Sequence, residues 1–358
     1  MTHIELGLDT FGDITRDAQG DPRPHAQVLR DVVDEAVLAD QVGAYFIGLG
    51  EHHRADFSIS APDVVLAAIA GQTKQIRLGS AVTVLSSDDP VRVFERFATL
   101  DAISNGRAEV ILGRGSFIES FPLFGFSLDD YEALFEDKLD LYATILERTR
   151  AGEPITWSGR SGATRAPLTD QRIFPPTESS TLTTWIGVGG SPESVVRAAR
   201  HGFPLMLAII GGDPRRFQPY VQLYHQALEK LGKPQLPIGM HSPGHIAPTD
   251  QQAKEELWPA WREMRDRIGR ERGWGPTSAA EFTREIEAGS LYVGSPETVA
   301  RKIAAAVQAL GVARFDLKYT SGPMAHDAAM RSIELYGTRT IPIVNELLSE
   351  GRTAQRSG

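Results

Sequence analysis

Along this chain, short apolar runs rich in Val, Ile and Leu alternate with longer segments in which apolar residues return every three or four positions. The first pattern is that of buried parallel strands and the second that of amphipathic helices, so the alternation predicts βαβ units on a parallel sheet. Eight runs read as strands: residues 4–9 (IELGLD), 44–50 (AYFIGLG), 76–85 (IRLGSAVTVL), 107–113 (RAEVILG), 183–189 (TTWIGVG), 204–210 (PLMLAII), 236–243 (LPIGMHSP) and 313–319 (ARFDLKY). Helix signals lie between them. HAQVLRDVVDEAVLADQVG sets Val28, Val32, Ala36 and Ala39 on one face and stops at Gly43. PVRVFERFATLDAISNG opens with a first-turn proline and ends in Asn-Gly. SPESVVRAARHG and SPETVARKIAAAVQALG each supply a serine N-cap, proline at N1, glutamate at N2 and a terminal glycine. Eight strand–helix units in 358 residues predict an α/β protein with one domain over 1–358, a closed (β/α)8 TIM barrel. An open doubly wound sheet is the alternative.

Three segments exceed the minimal repeat. Residues 10–24 form a long loop after the first strand. Residues 152–181, rich in Gly, Pro, Ser and Thr, are expected to be a lid-like insertion after helix 4, and residues 249–290 a polar helical insertion before helix 7.

A formal net charge of -9, with no local cluster of Lys or Arg, argues against nucleic acid and anionic membranes as partners. The absence of cysteine removes disulfides, cysteine metal sites and cysteine nucleophiles together. No run approaches about 18 apolar residues, and the N-terminus has no apolar h-region, so the expected location is the cytoplasm.

Candidate chemistry gathers at strand ends. GLGEHHRADF places Glu51, His52 and His53 just past the second strand. Adjacent histidines on an extended chain point opposite ways and no H-E-x-x-H occurs, so zinc is disfavoured; proton transfer by one imidazole, or a structural loop role, remain. In WIGVGGSPESVVRAA, residues Gly189, Gly190, Ser191 and Ser194 form a strand–turn–helix junction that either binds a phosphate or simply caps the helix. Ser194, at N3, is placed to reach a phosphate from the first turn. Arg114, between two glycines past the fourth strand, either forks onto a phosphate or makes a rim salt bridge. Phe117, Phe121, Phe124 and Phe126 line a pocket or pack as core. Asp316 and Lys318 are the nearest approach to a hydrolase or aldolase centre.

Taken in order, GLGEHH, AVTVLSSDDPVRVFERFATLDAISNGRAEVILGRG, VGGSPESVVRAA, VGSPETVARKI and SIELYGTRTIPIVNELL resemble the bacterial luciferase-like family of flavin-dependent monooxygenases over nearly the whole chain. The resemblance implies a barrel that binds reduced FMN at its strand C-terminal face, reacts it with O2 to a flavin peroxide and oxygenates a small organic substrate. It further implies a transient flavin reductase that supplies FMNH2 at the expense of NAD(P)H, and a homodimer. By the same resemblance His52 is the catalytic histidine, as general base or as a stabiliser of the peroxide, with His53 beside it. Arg114, Gly189, Gly190, Ser191 and Ser194 match the FMN phosphate site, while Ala81, Val82 and Thr83 match a non-proline cis peptide and its neighbour under the flavin ring. Three positions depart from luciferase itself: Gly113 replaces a reactive cysteine, Asp89 replaces a histidine, and SLDDYEALFEDK lacks a second phosphate arginine. These departures speak against light emission with a long-chain aldehyde. Asp88 and Asp89 either shape the substrate pocket or cap helix 3. The alternatives within the resemblance are hydride transfer with a deazaflavin or FMN, and flavin binding without catalysis.

Overall fold

Alternation along each strand, with apolar side chains on both faces, drives the sheet to close. The structure, a computed structural model, describes residues 4–115, 117–159, 165–179 and 181–356. Its strands β1 (Glu5–Thr10), β2 (Phe46–Leu49), β3 (Arg77–Ser80), β4 (Ala108–Gly113), β5 (Thr183–Val188), β6 (Leu205–Ala208), β7 (Ile238–Ile246) and β8 (Arg314–Lys318) pair in chain order, all parallel, and β8 returns to β1. This is the expected (β/α)8 barrel, not the open sheet, and closure leaves its strands without free edges.

Around it lie α1 (His25–Gln41), α2 (Pro62–Ala70), α3 (Pro90–Ile103), α4 (Ser120–Phe124), α5 (Tyr131–Arg150), α6 (Pro192–His201), α7 (Gln218–Lys230), α8 (Asp250–Arg272), α9 (Ala279–Glu287), α10 (Pro296–Leu310), α11 (His326–Leu335) and α12 (Ile341–Arg356). Val28, Val32, Ala36 and Ala39 are buried on α1 as their spacing predicts. Among the helices that patterning does not single out is α2, PDVVLAAIA, because an almost wholly apolar stretch has no polar face against which a period shows. The predicted third strand is shorter than expected: it stops at Ser80, the Ala81–Val82 peptide is cis, and Thr83–Val84 resumes pairing with β4. β7 runs on to Ile246, where its end pairs with Tyr292–Gly294.

Residues of one parity, such as Leu8, Ile47, Leu112, Ile186 and Leu207, face the helices and form the main core. Those of the other parity point into the barrel. There Phe46, Ile111, Trp185 and Met206 form an apolar plug beside a buried ion triad. Arg314 Nε donates to both oxygens of Asp316 (2.9 and 3.0 Å), Nη1 donates to Glu109 Oε2 (2.7 Å), and the guanidinium lies 3.7 Å from the centre of the Phe46 ring. Gly7 leaves room for this triad, since a Cβ there would stand 2.2 Å from Asp316 Oδ1. The lower barrel is therefore filled, and open space remains only toward the strand C-terminal ends.

The described part of the segment 152–181, expected as a lid, packs mainly beside α3 and α5, and its Arg165 pairs with Asp89 at the N-terminus of α3 (3.2 Å). The segment leaves from a helix C-terminus, so it starts at the barrel end opposite the strand C-termini. Its hairpin, Ile155–Trp157 against Leu168–Gln171, packs along α5, where Trp157 Nε1 donates to Asp140 (3.0 Å), and Ser179 binds Asp101 of α3. None of its described residues lines the central cavity; residues 160–164 and 180 lie outside the described set. Among the described residues no helix is long and apolar enough to cross a membrane.

Candidate active site

The C-terminal ends of the strands enclose a cavity of about 630 Å³, a size that suits a small molecule or cofactor. His52, just past β2, lines it. The His52 ring stands 4.5 Å from both Phe11 and Phe57 and 5.3 Å from Phe117, while its backbone N–H donates to Ile59 O (2.9 Å). Burial in this aromatic box, reinforced by the positive charges of Lys318 and Arg54, pushes its pKa down to about 3. The imidazole is thus neutral at any ordinary pH. Its ring resonances are expected to stay fixed in an NMR titration between roughly pH 5 and 8, whereas a titration midpoint near 6.5 would refute this.

His53 points to different partners. Its Nε2 donates to Glu51 Oε1 (2.9 Å), and Glu51 Oε2 accepts the Val84 N–H (2.9 Å), so the pair clamps the chain just after the cis peptide. The two imidazoles do not converge, and among the described residues no three His, Asp or Glu side chains are grouped to hold a metal ion.

At another side of the same cavity cations gather. Ser191 caps α6, accepting the Ser194 N–H (3.3 Å) and donating to Glu193 Oε2 (2.8 Å), so the capping reading holds for it. Ser194 is buried and its Oγ accepts from Arg197 Nη1 (3.1 Å). Arg114 binds Glu132, whose other oxygen takes Arg197 Nη2 (3.1 Å), so one largely exposed carboxylate bridges two guanidinium groups. Gly190 has φ +120°, and a Cβ on Gly189 would meet nothing within 4 Å, which leaves the backbone open to a close ligand. Two cations, a buried hydroxyl and a glycine turn at a helix N-terminus fit a phosphate that displaces Glu132. A second arginine, Arg197 of α6, stands behind Ser194, where it binds Glu132 and Glu136 as well. Sequence reading missed Arg197, although its place three residues after Ser194 puts both on one helical face.

Between these regions Ala81 and Val82 line the cavity at their cis peptide. Thr83, expected beside the cofactor, does not; it is buried in the ladder opposite Leu112. Gly113 has a packing cause: a Cβ there would stand 2.6 Å from Val82 Cγ2, so a cysteine has no room. Asp89 accepts the Val91 N–H (2.9 Å) and Asp88 binds Arg96, which makes both helix-end groups and not pocket walls. Of the four phenylalanines, Phe117 lines the cavity, Phe121 is core, Phe124 is half exposed and Phe126 lies under Lys138 Nζ (4.0 Å).

The floor brings Asp316 and Lys318 together with two groups that sequence reading did not single out, Asp9 and His241. His241 Nδ1 lies 2.5 Å from Asp9 Oδ2, beside Asp316 and Lys318, and Lys318 Nζ donates to Asp13 Oδ2 (2.8 Å). Polar residues of inward parity at barrel strand ends were the available signal.

A sequence profile of luciferase-like monooxygenases matches residues 10–314. The chain belongs to this family. It is similar to an uncharacterised protein of Sinorhizobium fredii (30% identity over 58% of this chain and 53% of that one) and to the 4-hydroxyprotoasukamycin monooxygenase of Streptomyces nodosus subsp. asukaensis (25%, over 92% and 90%). The match thus spans about half the length of the first of these relatives. Among solved structures it resembles monooxygenase RslO1 from Streptomyces bottropensis (TM-score 0.80, 24% identity, 95% and 99% coverage). It also resembles the FMN complex of the oxygenating constituent of 3,6-diketocamphane monooxygenase from Pseudomonas putida (0.75, 20%, 95% and 98%), and an F420-dependent secondary alcohol dehydrogenase (0.73, 16%, 96% and 99%).

On this luciferase-like barrel the helical insertion forms the roof. Trp261, Met264 and Ile268 of α8, with Trp274 beyond it, line the cavity. Arg54 ties α8 down: its Nη2 donates to Glu271 (2.6 Å), Nε to Asp56 (3.0 Å), and it also binds Glu119. Arg54→Ala is expected to speed proteolysis of the α8–α9 connection about tenfold, the effect of losing roughly 1.4 kcal/mol from a partly exposed ion network. An unchanged cleavage rate counts against the latch.

Proposed function

We propose that this protein is a flavin-dependent monooxygenase that uses reduced FMN and O2 to oxygenate a small organic substrate, with FMNH2 supplied by a separate reductase drawing on NAD(P)H. One observation carries the reading: a single cavity has a phosphate-type site of Arg114, the Gly189–Gly190 turn and Ser194 on one side, with Arg197 behind Ser194, and a neutral, boxed imidazole on another. Bound reduced FMN supplies the electrons and the O2-reactive centre. The residues supply the rest. Gly189, Gly190 and Ser194 with Arg114 would hold the phosphate, and Ala81 and Val82 would border the ring. His52, whose conjugate acid is too strong for useful base catalysis, serves as a neutral hydrogen-bond partner at the reacting end. The α8 roof excludes water, which suppresses wasteful loss of oxidising equivalents. The family resemblance supports a homodimer.

The test begins with FMN titration followed by flavin fluorescence. Arg114→Ala is expected to weaken binding roughly ten- to hundredfold, the worth of one charge-assisted contact. Wild-type affinity in that variant would remove the phosphate assignment. Oxygen uptake with chemically reduced FMN against aldehydes, alkanes, sulfonates and ring ketones then tests the reaction. Anaerobic oxidation of a reduced deazaflavin by substrate would move the protein to the hydride-transfer reading, and FMN binding without any turnover to a carrier.

A further inference from the structure

We infer that His241, held by Asp9, is a second proton-transfer residue of the cavity, and that it selects a flat, largely apolar substrate bearing an acidic hydroxyl, a phenol or an enol. The inference rests on the proposed function only in taking this cavity as the substrate site.

His241 stands on β7 at an inward position, opposite Asp316 of β8 in register, and lines the cavity floor. Asp9 reaches it from β1 with Oδ2 2.5 Å from Nδ1. A carboxylate at Nδ1 keeps the proton there, so Nε2 is the basic nitrogen, and it makes no hydrogen bond among the described residues. Asp9 Oδ1 is buried without a partner among those residues, so the imidazole is the one side-chain contact that this carboxyl makes among them.

The surroundings narrow what delivers a proton to Nε2. The charged or titratable groups at this floor are Asp9 from β1, Asp316 and Lys318 from β8, and His52 after β2. Lys318 is engaged by Asp13, and Asp316, raised to about 6 by burial against the pull of Arg314, faces Arg314. A phenolic O–H, pKa about 10, lies within reach of an imidazole base, whereas an aliphatic hydroxyl, about as weakly acidic as water, does not. The Phe11 ring lies nearly parallel to His241 (14°, 6.2 Å), and Trp261, Met264 and Ile268 close the space from above, which offers aromatic and apolar surface to a flat ring. In the step itself the substrate O–H bond breaks, its electron pair stays on oxygen, and the proton passes to His241 Nε2. No electron is transferred. The oxyanion enriches the adjoining carbon for electrophilic oxygen transfer.

The experiment uses the full flavin-free chain and 4-nitrophenol, whose visible band reports its ionised fraction. Bound to wild type, the probe is expected to ionise about one pH unit or more below its value in water, a tenfold shift of the equilibrium. His241→Asn keeps an N–H donor toward Asp9 but has no base, and is expected to abolish the shift while still binding the neutral phenol. Asp9→Asn is expected to reduce it. FMN titration of the same proteins reports folding and tests the function separately. If the probe fails to bind, or the shift survives in His241→Asn, the inference fails, and normal FMN binding in that experiment leaves the proposed function standing. If the shift appears as expected but wild type does not bind FMN, the proton-transfer pair is upheld and the flavin reading falls.

Discussion

His52→Ala is expected to lower turnover about 10²–10³-fold while FMN affinity stays unchanged, because the ring lines the cavity among Phe11, Phe57 and Phe117 and makes no contact with the phosphate-site residues. A second variant separates two roles for the residue. His52→Gln retains an N–H donor and an acceptor without a titrating group, and since the wild-type imidazole is already neutral, it is expected to recover roughly tenfold of the loss. A general base would leave Gln as inactive as Ala. Product formation at saturating substrate, read beside an FMN titration, decides between them, and undiminished product from the alanine variant would end any catalytic assignment of His52.

Arg314→Leu carries the largest expected effect on stability, a loss of about 3–5 kcal/mol, because it strands Asp316 in the barrel interior without its counter-charge and leaves Glu109 with Arg77 alone. The pH dependence has a definite sign. Asp316 already sits at about 6 in the folded protein, above its ordinary value of 3.8, because burial outweighs the attraction of Arg314. Its folded pKa is raised, so its contribution to stability is greatest below the unfolded value and declines as pH rises toward about 6. Removal of Arg314 drives the pKa higher, so the variant is expected to lose most stability in neutral and alkaline solution and less in mild acid. Urea unfolding midpoints across that range measure it. A pH-independent loss would mean that packing against Phe46, not charge, is the main contribution.

Much of the architecture was legible because it depends on local rules. Strand and helix periods, the serine caps of α6 and α10 and the first-turn prolines are set by neighbours within a few residues, and each recurs in the structure. The cis peptide at Ala81–Val82 came from resemblance and is present. α2 escaped because a uniformly apolar helix carries no period. The described residues of 152–181 line no part of the cavity, although Arg165 reaches Asp89 at the N-terminus of α3, and the roof is supplied by the insertion around α8.

The sequence by itself determined that eight strands alternate with helices, that histidines, an arginine and a glycine turn stand at strand ends, and that no cysteine chemistry is available. Only the tertiary structure decided which of these ends meet. Asp9 and His241 are 232 residues apart, and Arg114 and Arg197 come from different strand–helix units, yet each pair shares one small space. Inward or outward parity can be read along a single strand, but the neighbours across the lumen are set by closure and stagger of the whole barrel, a property of all eight strands together.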